Sequence, residues 1–435
     1  MFRLREGESG PILTVMDILG KHEQRVLNTI DQDALLKSVC SLVSIPSLGG
    51  FETPAQEWVA SLLSDIGLEV DVWELDFPSL SGHPGYSTEI DRDHGLGVVG
   101  RIGEGPNGTG LILNGHVDVV PPGHEDRWSA PAFEPRVSDG RIYGRGAVDM
   151  KAGLCSAIFA AKAIRDAGIS LANPLFIESV IGEEDGGVGT LGAIVRGYRA
   201  QGAIVMEPTN LEIATTGAGC HNFRIRISGQ AAHGALRSEG VSAIRNSWPV
   251  LTALEELEAE RNAAGDASVP GDLPFPICVG KMWGGEWASS VAEEVVMEGR
   301  YGVRPGEDPT RARAELESAV AGAAEKTHWL CDHPPQVEWW GGRFEPARVD
   351  PNTGIAATVR EAHQDVTGAE ARLTGVPFGS DMGLMVNHGD TPCVLYGPGD
   401  VRCAHRPDEF VPIEEVVSAT HVLALVAMRF CGVKE

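Results

Sequence analysis

A chain of 435 residues, 43% of them hydrophobic, can bury a large core and is long enough for two structural domains. Its 35 Lys and Arg face 61 Asp and Glu, and the formal net charge of −26 excludes a nucleic acid as partner, because neutralising phosphates takes clustered cations. The N-terminal MFRLREGESGPILTV lacks the apolar run of a signal peptide, and nothing later reaches the roughly 18 consecutive apolar residues of a membrane helix, so a cytoplasmic chain without a membrane partner is expected.

The stretch 35–66 predicts helix on either side of the interruption VCSLVSIPSLGG; TPAQEWVASLLSDIG then returns apolar residues at three-to-four spacing until Gly67 ends the pattern. LEVDVWEL, GVVGRIG and LILNGHVDVV predict strands, MKAGLCSAIFAAKAIRDAG a helix, and LFIESVIG a further strand. This alternation predicts an α/β fold built on a mostly parallel sheet with helices on both faces. Between 216 and 343 the texture changes to a strand HNFRIRISG, a helix VSAIRNSWPVLTALEELEAE, a loop rich in Gly, Ala and Pro, a strand VAEEVVMEGRYGV and a helix PTRARAELESAVAGAAEK, which predicts a smaller α+β insert. From 344 onward a helix, the strand CVLYG and the terminal helix EEVVSATHVLALVAMRF complete the first domain, which therefore comprises 1–215 and 344–435. The eight cysteines form no C-x-x-C pair, which predicts buried free thiols in a reducing compartment and excludes a thiolate zinc site.

Chemistry-bearing residues recur where apolar strands end. LILNGHVDVV closes on His116, and alternation along a strand puts Asp118 on the same face, where a carboxylate suits the second nitrogen of a ligating imidazole. Asp149 in GRGAVDM stands directly ahead of a long helix, Glu183 and Glu184 follow the strand of FIESVIGEEDGG, Glu207 follows GAIVM, and His405 follows CVLYG. Taken singly, these are a polar turn, an N-cap, a solvated acidic turn and loop residues. Together they put two imidazoles and three carboxylates at the ends of strands of one sheet, where open α/β sheets place their sites. Such a set can hold two divalent ions if one carboxylate bridges them.

In their order and spacing these motifs resemble the metallohydrolase family of acetylornithine deacetylase, succinyl-diaminopimelate desuccinylase, aminoacylase and carboxypeptidase G, over nearly the whole chain from about Asp33. The resemblance implies His116, Asp149, Glu184, Glu207 and His405 as metal ligands, with Asp149 bridging, Glu184 and His405 on one ion, and His116 and Glu207 on the other. It implies Glu183 as the general base and Asp118 as the residue holding His116. Zinc is the first expectation for the one or two ions, with manganese or cobalt as alternatives. In SGQAAHGALRSEG the resemblance implies that His233 reaches an active site, commonly the neighbouring subunit's, to stabilise an oxyanion; the insert would serve as lid and dimerisation surface of a homodimer. Arg300 in MEGRYGVRPGED matches a family arginine for a substrate carboxylate, with Arg304 competing for the role. The tail GVPFGSDMGLMVNHGDTPCVLYGPGDVRCAHRPDEF is similar to a deacylase and deformylase subgroup, which puts Gly379, Ser380 and Asp381 beside a small-molecule substrate.

The expected reaction is hydrolysis of a C–N bond, by deacylation or deformylation of a small N-acyl amine or N-acyl amino acid. The alternative within the family is hydrolytic deamination of an electron-poor aromatic amine such as nitroanthranilate. Outside it, GVGTLG at 187–192 satisfies G-x-G-x-x-G, but the three acids before it would repel a pyrophosphate, and a dinucleotide oxidoreductase would leave His116, Asp149 and His405 without a role. A binding protein that lost the chemistry would not need all of these polar positions filled.

Overall fold

The computed structural model describes residues 19–434, so the N-terminal segment read for a signal peptide lies outside the described residues. In chain order the first strands are β1 (Glu69–Glu74), β2 (Leu96–Ile102), β3 (Leu111–His116), β4 (Arg136–Ser138), β5 (Arg141–Tyr143), β6 (Leu175–Val180), β7 (Gly202–Val205) and β8 (Ile213–Gly217). A second group follows, β9 (Gly219–Ser228), β10 (Ile277–Gly284), β11 (Glu294–Val303) and β12 (Gln336–Phe344), and the chain closes with β13 (Ala347–Arg348), β14 (Leu373–Val376), β15 (Cys393–Leu395) and β16 (Phe410–Pro412).

Nine strands form the main sheet in the order β1-β2-β6-β3-β7-β15-β8-β13, with β14 also on β8. Its centre, β6-β3-β7-β15, is parallel throughout. The sheet is mostly parallel as expected, but β2 and β8 run against the central strands. Both β3 and β6 are buried at every position, as continuous apolar runs covered on two faces must be. The covering helices lie on opposite faces: at Gly115 the neighbour is Leu154 of the helix Ala152–Asp166, whereas the adjacent Asn114 bonds Thr190 of the helix Val188–Arg196. The predicted helix at 53–66 runs Thr53–Asp65, and Gly67 ends it in the left-handed region at φ 77°, a conformation glycine adopts without a Cβ penalty.

The second sheet, β10-β11-β9-β12, is antiparallel and rests on the helices Ala243–Asn262 and Pro309–Glu325 over a core that includes Phe223, Ile225, Met297 and Leu316. Two of its strands escape the sequence pattern. The Gly-, Ala- and Pro-rich loop contains β10, an edge strand whose side chains are mostly exposed and so leave no apolar alternation. Strand β12 is broken in register between Trp339 and Arg343, across two glycines. All eight cysteines are free; Cys155, Cys220, Cys393 and Cys431 are buried as expected, whereas Cys278 and Cys331 are exposed. No helix among the described residues is long and apolar enough to cross a membrane.

Candidate metal centre

The four central strands all deliver their carboxyl ends to one place. His116 is the last residue of β3, Glu183 and Glu184 follow β6, Glu207 follows β7, and His405 lies beyond β15. Asp149 arrives from the turn before the helix Ala152–Asp166. Its backbone is extended (φ −122°, ψ 95°) and that helix has no side-chain N-cap bond, so the capping role open to it in sequence is not taken. His405 is held in the left-handed region at φ 57°, which costs a non-glycine residue on the order of 1 kcal/mol or more and turns its ring toward the acids.

The five predicted ligands and Glu183, predicted as the base, converge in two sets. One contains His116, Glu183 and Glu207; the other contains Asp149, Glu184 and His405, the donor atoms of each set lying within 4.8 Å of one another. Asp149 faces both: its oxygens are 3.2 Å from His116 Nε2 and 3.3 Å from His405 Nε2. His405 Nε2 is also 3.1 Å from Glu184. The other nitrogen of His116, Nδ1, is 2.9 Å from the Asp118 carbonyl and 3.6 Å from its carboxylate. The Asp118 carboxylate instead accepts the backbone N–H groups of Glu183 and Glu184.

Charge in this region is unbalanced. Burial and the neighbouring Asp149 carboxylate push Glu207 well above the usual carboxylate range, and burial with Glu207 does the same to Glu183. Burial opposes a charge on His405, yet Glu184 and Asp149 raise it to about 11. Glu207 Oε1 is buried with no hydrogen-bond partner. A set of acids that the protein's own groups do not neutralise, with one carboxylate oxygen left over, fits divalent cations and suits little else.

A model of peptidase family M20/M25/M40 matches residues 112–429. The chain belongs to that family. Its members are metallohydrolases acting on C–N amide bonds, and this M20 chain is an enzyme of that class. It is 30% identical over 417 residues to the N-formyl-4-amino-5-aminomethyl-2-methylpyrimidine deformylase of Bacillus subtilis (strain 168), covering 89% of this chain and 94% of the relative. It is 30% identical over 359 residues to the acetylornithine deacetylase of Myxococcus xanthus, covering 80% and 89%. In fold it is similar to the di-peptidase Dug1p from Saccharomyces cerevisiae, with a TM-score of 0.76 at 15% identity over 95% of this chain and 99% of that one.

Around the centre of the M20 chain lie further buried acids, two of which, Glu409 and Asp185, had no sequence signal of their own. Glu409, fully buried and paired with Arg145, accepts the N–H groups of Val148 and Asp149 and so fixes the backbone that carries the Asp149 carboxylate. Asp185, read in sequence as one more turn acid, is buried; it pairs with Arg92 and accepts the N–H groups of Glu89 and Ile90. Asp381 is buried as well, taking the Thr190 hydroxyl at 2.5 Å, and burial raises it to about 6.

The remaining predicted residues sit farther out. Arg300 donates to the carbonyl of Pro377 at 3.3 Å, which brings the second sheet onto the loop holding Gly379, Ser380 and Asp381. The Arg304 guanidinium instead donates to the Arg261 carbonyl at 2.6 Å and lies 3.8 Å from Glu307. His233 is exposed, accepts the Ala235 N–H, and within this chain touches none of the metal-centre residues.

Proposed function

We propose that this M20 enzyme removes a formyl or other small acyl group from an amine or an N-acyl amino acid. The observation that carries the reading is Asp149, one carboxylate facing the imidazoles of both donor sets. In this reading His116 and Glu207 would hold one ion and Glu184 and His405 the other, with Asp149 available to both. Zinc is the preferred metal because imidazole and carboxylate donors suit it. When bound, the ions supply Lewis-acid polarisation of the scissile carbonyl and lower the pKa of water.

The chain's own side chains supply the rest. Glu183, buried and held above the usual carboxylate range, takes the proton of the attacking water and passes it to the departing nitrogen. Arg300 holds an anionic group of the substrate over the loop of Gly379, Ser380 and Asp381.

Residues 1–215 and 344–435 act as the catalytic unit in this proposal, and 216–343 as its lid and dimerisation surface. Leu236, Ile244, Trp248 and Trp287 are exposed on that unit, and β10 leaves one sheet edge unpaired, which supports a homodimer formed through the lid. A partner lid would then carry His233 to the metal centre. The free cysteines support residence in the cytoplasm.

The test is a product screen of the purified protein against N-formyl-4-amino-5-aminomethyl-2-methylpyrimidine, N-acetylornithine, other N-acyl amino acids and aromatic amines. Formate or acetate release, lost on chelation and restored by zinc, is expected. Release of ammonia alone from an aromatic amine would replace this reading with deamination.

A further inference from the structure

Where the two units meet, a second cavity of about 290 Å³ lies between the loop 86–88 of the first unit and His221, Arg313 and the segment 339–343 of the second. None of its lining residues belongs to the metal centre, and none is an acid. Three of its lining residues each carry a buried ring or guanidinium nitrogen without a hydrogen-bond partner: His221 Nε2, Trp340 Nε1 and Arg343 Nε. Such groups are rare in folded proteins, and three in one wall require an account.

The charges point the same way. Arg313 makes no ion pair among the described residues; it lies over Trp339 at 5.4 Å and donates from Nε to His221 Nδ1 at 3.4 Å. That bond makes Nδ1 the acceptor and leaves the ring proton on Nε2. Burial, followed by the Arg313 and Arg343 guanidiniums, pushes His221 down to about 4, so it is a neutral donor at physiological pH. The nearby acids are already engaged, Glu317 by Trp339 Nε1 at 2.8 Å, Glu345 by His388 at 3.1 Å and Arg343 at 3.7 Å, Glu89 by the Asn222 amide at 3.0 Å and Glu307 by Arg261 at 2.7 Å. The wall is thus rich in donors, net positive and flanked by the flat side chains of Tyr86, Trp339 and Trp340.

We propose that this cavity is a ligand site separate from the metal centre, and that it takes a small aromatic carboxylate. The carboxylate meets Arg313, Arg343 and the His221 N–H, and the ring lies among the aromatic side chains. Because its wall is drawn from both units, a bound ligand ties them together. The Ser87 hydroxyl already bonds the Arg343 backbone at 3.0 Å, and the same loop is anchored on Asp185, next to Glu184.

Benzoate is the probe, with benzamide as its neutral counterpart, and the metal-loaded full chain is the sample. Benzoate should quench tryptophan fluorescence saturably and slow hydrogen exchange in 84–92 and 339–343, and benzamide should do neither. R313Q should weaken benzoate binding about tenfold or more without changing turnover, and R313K, which keeps the charge but loses the fork, should fall between. Equal binding of benzamide, unchanged affinity in both Arg313 variants, or protection confined to segments around the metal centre would overturn the proposal.

Discussion

The carboxylate of Asp118 accepts the backbone N–H of Glu184 at 3.0 Å. Through this bond, and the parallel one from Glu183 at 3.2 Å, the end of the strand carrying His116 and the turn carrying both glutamates behave as one piece. The second acid of H-x-D therefore places Glu183 and Glu184 as well as neighbouring the histidine. D118A removes the acceptor of both N–H groups and leaves the buried one, of Glu183, unpaired, at about 1–3 kcal/mol. A lower melting temperature together with a lower kcat is expected, and D118N, which keeps one acceptor oxygen, should recover part of both.

Glu183 lies in the donor set of His116 and Glu207, close enough to serve as a ligand instead of a base. E183Q separates the two roles. Turnover should fall by roughly 10²–10⁴ with metal stoichiometry unchanged, as measured by elemental analysis of the dialysed protein. Loss of metal along with activity would make Glu183 a ligand. H405A, by contrast, should lose metal, because its imidazole is placed on Glu184 and Asp149.

Glu409 and Arg145 form a buried ion pair behind Asp149. Breaking such a pair from one side strands the other charge and costs about 3–5 kcal/mol. E409Q should unfold earlier in both the metal-loaded and the chelated protein, and should also bind metal more weakly because Asp149 loses its backbone anchor. Equal melting temperatures would remove the positioning role.

If His233 acts in the partner's site, H233A and E183Q homodimers should each be nearly inactive, and their mixture should not be. Random exchange of subunits leaves one intact site in each heterodimer, which restores roughly a quarter of wild-type activity. A mixture as inactive as its components would assign His233 to its own subunit or to none.

His221 titrates at about 4 when folded, against about 6.5 in an unfolded chain. As pH falls below about 6.5 the unfolded state takes up the proton first, so the contribution to stability is complete above that value and is lost down to about pH 4. The slope is ~1.4 kcal/mol per pH unit at most. Denaturant midpoints of H221Q should depend less on pH across that window than those of the wild type.

The sequence by itself determined the parallel α/β core and the metal-ligand candidates, because both leave local marks. Buried strands read as unbroken apolar runs, and the polar residues that end them stand out against that background, as His116 and Glu207 do. It could not decide whether Asp149 caps the helix that follows, since that depends on backbone angles three residues ahead of the helix. Nor did the residue pattern distinguish Asp185, Asp381 or Glu409 from ordinary turn acids, Asp381 being singled out by the family resemblance alone. Their burial comes from Arg92, Thr190 and Arg145, partners 93, 191 and 264 residues away along the chain. Strands β10 and β12 stayed hidden for a related reason: one is an exposed edge and the other is interrupted at Gly341 and Gly342, so neither shows the period-two pattern. Only tertiary structure settled these points, because burial and pairing across such separations belong to the folded chain, whereas periodicity and strand ends are written locally.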